Sequence, residues 1–327
     1  MHVTLGSTHL VDSGRLRGLT VGVVANPASI DHEYRHVVDR VAGAADVRLG
    51  AIFGPQHGFA SDVQDNMVET PHAHDARRRV PVYSLSSETR EPTADMLAGL
   101  DALVIDLQDI GARIYTYIYT VANCLRAAKR HGVKVFVCDR PNPIGGLDVE
   151  GPVLEPGFES FVGQFPIPMR HGLTIGEISR LFNEHFGIGA DLEVVPMSGW
   201  KRAMYWDDTD LPWVMPSPNI PTLDSAIVYP GTVLFEGTTA SEGRGTTRPF
   251  ELIGAPWVRP ERFVDGLNRR ALPGVHFRPI SFEPTFQKHA RTTCGGCQIH
   301  VTDRARFRPV LTGVALIDAV RDAGADR

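Results

Sequence analysis

Residues 102–146 read ALVIDLQDIGARIYTYIYTVANCLRAAKRHGVKVFVCDRPNPIGG. Two apolar runs rich in β-branched residues, 102–107 and 133–138, enclose a segment in which Ile114, Ile118, Val121 and Leu125 recur at helical spacing. Continuous apolar runs of this length suit strands buried on both faces, and the periodic segment between them reads as an amphipathic crossover helix. Arg126, Lys129 and Arg130 gather near its C-terminal end, where the helix dipole favours cations. Strand, helix and strand joined in this way form a βαβ unit with parallel pairing.

Upstream, 19–25 (LTVGVVA) and 47–53 (VRLGAIF) have the same strand character. The expected fold is therefore α/β, a Rossmann-like doubly wound parallel sheet over residues 1–145. Glycine and proline become frequent after Asp139 and the elements shorten, so residues 146–327 are assigned to a second, smaller α+β domain completing a cleft. Within it, Thr174 and Glu177 make a capping box ahead of a helix whose apolar face is Ile175, Ile178, Leu181 and Phe182. Residues 275–282 and 298–303 read as strands and 310–320 as a closing helix.

Composition excludes more than it selects. The chain has 327 residues, 43% apolar and 22% charged, with a net charge of −5, so neither a nucleic acid nor an anionic membrane is indicated as a partner. The N-terminus lacks a basic segment followed by an apolar one, which reads as cytoplasmic; a secreted or periplasmic protein whose leader had been removed would look the same. Cys124 and Cys138 lie in apolar segments and read as buried thiols. Cys294 and Cys297 form CGGC without a second pair, a structural rather than a zinc or redox motif. His72, His74 and Asp75 in HAHD lie in a polar, arginine-flanked loop and read as solvated. No metal is expected because neither HAHD nor CGGC reads as a ligand set, no nucleotide cofactor because G-x-G-x-x-G and the P-loop pattern are missing, and the missing G-x-S-x-G elbow argues against an α/β-hydrolase.

Ligands of an open parallel sheet bind beyond the carboxyl ends of its strands. Four such ends carry polar groups: Asn26; Gln56 and His57 in GPQHGF; Asp106, Gln108, Asp109 and Arg113 in DLQDIGAR; Asp139, Arg140 and Asn142 in DRPNPIGG. Each also has a structural reading, as a helix cap, an ion-pair partner or a turn former. Tyr115, near the helix start, is placed either in the core or against a sugar ring. A second concentration of chemistry is FEGTTASEGRGTTRPFELIGAPW, 235–257, where Glu236, Ser241, Glu242 and Arg244 sit among glycines in what reads as a ligand-facing loop.

In order along the chain, FGPQHGF, DLQDIGARIYTYIYT, DRPNPIGG, VEGP, HGLTIGE, PSPNIP, YPG and EGTTASEGRGTTRPFE resemble the bacterial exo-β-N-acetylmuramidase family, NamZ-like, over about Gly18 to Thr312. The resemblance implies a glycoside hydrolase that removes N-acetylmuramic acid from the non-reducing end of peptidoglycan fragments in cell-wall turnover and recycling, with a small glycan as its partner. It makes Glu242, Glu236, Asp106, Asp109, Gln56 and His57 catalytic candidates, Glu242 the preferred acid. Arg113, Arg140 and Arg244 become candidates for the lactyl carboxylate, and Asn26, Asn142, His171, Asn219, Ser241, Tyr115 and Asp139 for the rest of the sugar.

Two departures stand out. The family pattern reads GPEHG where this chain has Gln56, and an amide transfers no proton, so a non-catalytic muropeptide-binding homologue is the competing expectation. The chain also stops at Arg327, earlier than the family pattern, which implies a shortened smaller lobe. A Rossmann-like enzyme acting on an unrelated nucleotide is a third reading, disfavoured by the absent glycine fingerprint.

Overall fold

The computed structural model describes residues 2–64 and 68–325. They form two compact units: residues 1–148, 154–167 and 171–218 in the first, and 149–153, 168–170 and 219–327 in the second.

The first unit is built on seven strands: β1 (Thr20–Ala25), β2 (Arg48–Gly54), β3 (Ala73–Asp75), β4 (Val80–Ser84), β5 (Ala102–Asp106), β6 (Lys134–Cys138) and β7 (Leu192–Val195). Their order is β3-β4-β2-β1-β5-β6-β7, parallel throughout except where β3 meets β4. The order reverses at β1, so the crevice between the carboxyl ends of β1 and β5 is the topological switch point. Val21, Val23, Ile52 and Val104 are fully buried in the core, as both-face burial of apolar strands requires.

The helices of this unit are α1 (Gly6–Asp12), α2 (Val37–Ala42), α3 (Ala94–Leu97), α4 (Tyr117–His131) and α5 (Ile175–Arg180). The crossover predicted from sequence is α4; it begins at Tyr117, three residues after Ile114, because the chain first makes a turn over 112–116. Lys129, Arg130 and His131 occupy its last turn, and Gly132 closes it in the left-handed region at φ 69°. At the start of α5 both arms of the Thr174–Glu177 capping box form.

Sequence placed the end of the sheet unit at residue 145, and the structure corrects this. Strand β7 pairs with β6 through Leu192–Val195, which brings α5 and the chain as far as Pro218 into the first unit. The short β3, β4 and β7 carry mixed burial and no long apolar run, so periodicity alone did not mark them.

The second unit holds α6 (Leu223–Thr232), β8 (Leu252–Ala255), α7 (Pro260–Arg269), β9 (Val275–Phe282), β10 (Cys294–Val301) and α8 (Pro309–Ala325), its strands antiparallel in the order β8-β10-β9. The CGGC motif opens β10: both cysteines are fully buried free thiols, and a side chain at Gly296 would meet the Ile253 carbonyl at 1.9 Å. The motif is thus a close strand contact. No helix among the described residues is long and apolar enough to cross a membrane.

Helices α6 and α8 approach equally closely. A Cβ on Gly231 would lie 1.8 Å from the Pro309 carbonyl oxygen, and one on Gly313 would lie 2.3 Å from that of Gly231. Backbone faces backbone, so no side chain can move aside. Gly231→Ala is expected to destabilise the second unit by about 1–3 kcal/mol, as overpacking does. The check is a lowered urea midpoint; an unchanged midpoint would show that the two helices separate without cost.

Candidate active site

At the switch point predicted polar residues meet and hydrogen-bond one another, but Asp106 Oδ2 and Asp109 Oδ1 are buried there without a hydrogen-bond partner among the described residues. Arg140, 2% exposed, donates Nε to Gln108 Oε1 at 2.9 Å, Nη1 to Asp106 Oδ1 at 2.9 Å, and Nη2 to the carbonyls of Ala28 and Ile30 at 3.0 and 3.1 Å. Gln108 turns its amide nitrogen to the carbonyls of Asp109 and Pro141. Asn26 accepts from Ala28 N and Ser29 Oγ and donates to Tyr117 Oη at 3.1 Å and the Pro216 carbonyl at 2.7 Å. Burial pushes the Tyr117 phenol up to about 12, which keeps it a neutral donor to that carbonyl. Fully buried Asp106 retains one oxygen, Oδ2, without a partner among the described residues.

In the same loop after β5, Asp109 Oδ2 accepts from Gly111 N at 2.8 Å and lies 3.2 Å from His171 Nε2, while His171 Nδ1 accepts from Leu173 N. Both side chains are buried. Asp139 Oδ1 takes the backbone N–H groups of Arg140 and Gly176, the second in the first turn of α5. Burial pushes its carboxyl above the usual carboxylate range against those hydrogen bonds. Asn142 fixes the DRPNP turn through Leu173 O and Ile144 N. Arg113, half-buried, donates to the Ile167 carbonyl at 2.7 Å, and Tyr115 packs edge-on to Tyr117 in the core.

A cavity within the first unit lies at the end of β2. His57, at φ 70°, turns inward and donates Nδ1 to the Val63 carbonyl at 2.8 Å. Gln56 turns outward, and its Oε1 accepts from Thr116 Oγ1 at 2.7 Å. A cavity of about 210 Å³ opens beside it, walled by Gln56, Glu69, Arg90, Thr116, Asn123 and Phe161 among others. Of the sequence candidates only Gln56 reaches this cavity. Glu69 and Arg90 were not singled out, since they lie in polar loops whose local pattern carries no signal.

In the second unit the 235–257 loop closes on itself. Arg244 donates Nη2 to Glu236 Oε1 at 2.5 Å, and its Nε is 3.4 Å from Glu242 Oε1. The other oxygen of Glu242 accepts from Lys288 Nζ at 3.0 Å, and Lys288 also reaches the carbonyls of Phe235, Glu236 and Ala240. Glu242 is 2% exposed, whereas the Glu236 side chain is 33% exposed. Ser241 accepts from Gly243 N and pairs with Gly254 across an isolated bridge, and Asn219 is buried. Neither Lys288 nor the buried Glu251, which accepts from Ser225 and Arg248, was visible in sequence because their partners lie far along the chain or have no spacing rule.

Among the described residues no group of three or more His, Cys, Asp or Glu side chains is arranged to hold a metal ion. In HAHD, His72 accepts from Ser84 N and Asp75 pairs with Arg78.

Family models for the N-terminal and C-terminal parts of the exo-β-N-acetylmuramidase NamZ match residues 21–224 and 227–327. The chain belongs to the NamZ family. The peptidoglycan β-N-acetylmuramidase NamZ of Bacillus subtilis (strain 168) is 51% identical over 308 residues, covering 94% of this chain and 74% of that protein. Two crystal structures of DUF1343 family proteins from Bacteroides fragilis NCTC 9343 are similar in fold, one with a TM-score of 0.92 at 38% identity and one with 0.77 at 26%; each match covers 99% of this chain and 84% of the other. The NamZ N-terminal region thus ends near the structural boundary at Pro218 rather than at residue 145.

Two stability predictions follow from the network. Arg140→Met removes the only ion-pair partner of Asp106 among the described residues and should cost about 3–5 kcal/mol, the range for a buried pair broken on one side; a denaturant midpoint within error of the parent would contradict the hub. His36 donates Nε2 to the Asn26 carbonyl and accepts at Nδ1 from Val38 N, capping α2. Burial lowers its pKa below 6.5, so the unfolded chain takes up the proton first. Stability should fall as pH drops below 6.5 and level off once the folded ring protonates. Urea midpoints measured from pH 8 to pH 5 should show this fall in the natural protein and a flatter profile in His36→Gln.

Proposed function

We propose that the protein is an exo-acting glycosidase that releases N-acetylmuramic acid from the non-reducing end of peptidoglycan fragments. One observation carries the reading: NamZ models span both parts of the chain, and a relative sharing half of its residues is named as a peptidoglycan β-N-acetylmuramidase. The non-catalytic alternative finds no support beside it.

Hydrolysis breaks the bond between the anomeric carbon and the leaving oxygen. The leaving oxygen takes a proton, the anomeric carbon takes the oxygen of water, and two carboxyl groups normally manage the exchange. Gln56 cannot supply that proton, but its Nε2, which donates to no acceptor among the described residues, can orient a sugar oxygen. Among the described residues Glu69 is the carboxyl group that shares the cavity with it, and it is the proposed proton carrier there. Asp106, Asp109 and Glu242 are engaged in ion pairs or turns inside their own units, which favours positioning roles for them.

The test is turnover of a chromogenic β-N-acetylmuraminide beside the matching N-acetylglucosaminide. Release from the first and not the second is expected; equal rates, or activity on the glucosaminide alone, would reject the reading. Glu69→Gln should lower kcat by about 10²–10⁴-fold, the range for one positioned acid or base. Glu242→Gln should instead lower the unfolding midpoint, because it weakens the pairs to Lys288 and Arg244. If Glu242→Gln abolishes turnover at an unchanged midpoint while Glu69→Gln remains active, the two assignments are reversed.

A further inference from the structure

We propose that the cavity beside Gln56 binds the lactyl carboxylate of N-acetylmuramic acid and that Arg90 is the cation that pairs with it. This rests on the muramidase reading and names the residue that sets its specificity.

The three arginines suggested by sequence each hold a partner elsewhere, although buried Arg244 keeps Nε and Nη1 without a hydrogen-bond partner among the described residues. Arg140 spends Nε and both terminal nitrogens on buried partners, Arg244 holds Glu236, and Arg113 donates to the Ile167 carbonyl. Arg90 is different. Its guanidinium carbon lies 4.4 Å from the centre of the Phe161 ring, and it forms no ion pair among the described residues. A guanidinium held against an aromatic face by cation–π attraction still has N–H groups to offer a carboxylate. Its backbone is fixed as well, since the Asn123 side chain donates to the Arg90 carbonyl at 3.1 Å.

The rest of the wall has the same polarity. Thr116, Tyr119 and Thr120, from the N-terminal end of α4, line the cavity. That 15-residue helix has no acidic residue in its first turn and no side-chain cap, because the Thr116 hydroxyl is directed to Gln56. The positive end of its dipole is therefore unopposed by a local carboxylate. Ser86 and Ser87 add hydroxyls from the loop after β4. The one carboxylate of the wall among the described residues, Glu69, forms no ion pair with Arg90, so the two charges remain available for separate parts of one substrate. Arg90 is exposed, so with a sugar that lacks the lactyl group its guanidinium stays solvated, and the cavity favours the acid only by the pair it adds.

The experiment compares binding of N-acetylmuramic acid, its lactyl carboxamide and N-acetylglucosamine by calorimetry, with turnover of the chromogenic muraminide recorded in parallel. The natural protein should bind the acid about 2–5-fold more tightly than the carboxamide, the span of an exposed ion pair. Arg90→Gln should erase that difference and leave carboxamide affinity unchanged. Ser87→Asp, which places a negative charge on the same wall, should weaken the acid selectively and keeps the test decisive if Arg90→Gln does not fold. If the natural protein releases N-acetylmuramic acid while both variants keep its preference for the acid, Arg90 is not the anchor and the muramidase reading stands. If no N-acetylmuramic acid is released or bound, both fall.

Discussion

A positive charge buried at the end of a parallel sheet governs the first unit. Arg140 leaves β6 with almost no access to water, and its guanidinium must find partners in protein or the fold fails. It finds them on the loop after β1, on the last residue of β5 and on the loop after β5. The chain ends that fan out beyond a doubly wound sheet are thereby tied to a single point, and their order is fixed before any ligand arrives. Asn26 and Tyr117 extend the same network by converging on the Pro216 carbonyl, which fastens the end of the first unit back onto its sheet.

Side chains from the loops after β1, β5 and β6 crowd together at the switch point of the first unit, and a separate cavity opens at the end of β2 and the start of α4. Gln56 stands at that opening. Its neutral amide accepts a hydrogen bond from the Thr116 hydroxyl, and Glu69 and Arg90 line the same cavity.

The sheet was legible because long apolar runs leave few alternatives: β1, β2, β5 and β6 lie within one or two residues of their sequence-derived limits, and α4 follows from its spacing and basic end. Strand β7 was hidden, since LEVV is short and is a strand only by virtue of pairing with β6. The candidate site was legible in part for the same reason. Polar residues at strand ends can be named from sequence, but whether Arg140 faces a ligand or Asp106 depends on contacts spanning 34 positions. Glu242 looked exposed among glycines, and only the fold reveals Lys288, 46 residues later, on its second oxygen. Arg90 was passed over in the run SSETREP because a cation's neighbours in sequence do not disclose the aromatic ring it rests on.

The four thiols acquire a use from their burial. Cys124 in α4 and Cys138 in β6 lie in the first unit, Cys294 and Cys297 in β10 of the second, and all four are buried with their ionisation suppressed. A thiol in that condition reacts with an alkylating reagent only when its surroundings open, because the thiolate is the reactive form and needs water around it. Alkylation in the native state is therefore a clock for local opening. With two cysteines in each unit, peptide-resolved labelling reads two such clocks at once and tells whether the sheet carrying the cavity and the smaller three-stranded unit breathe together or apart.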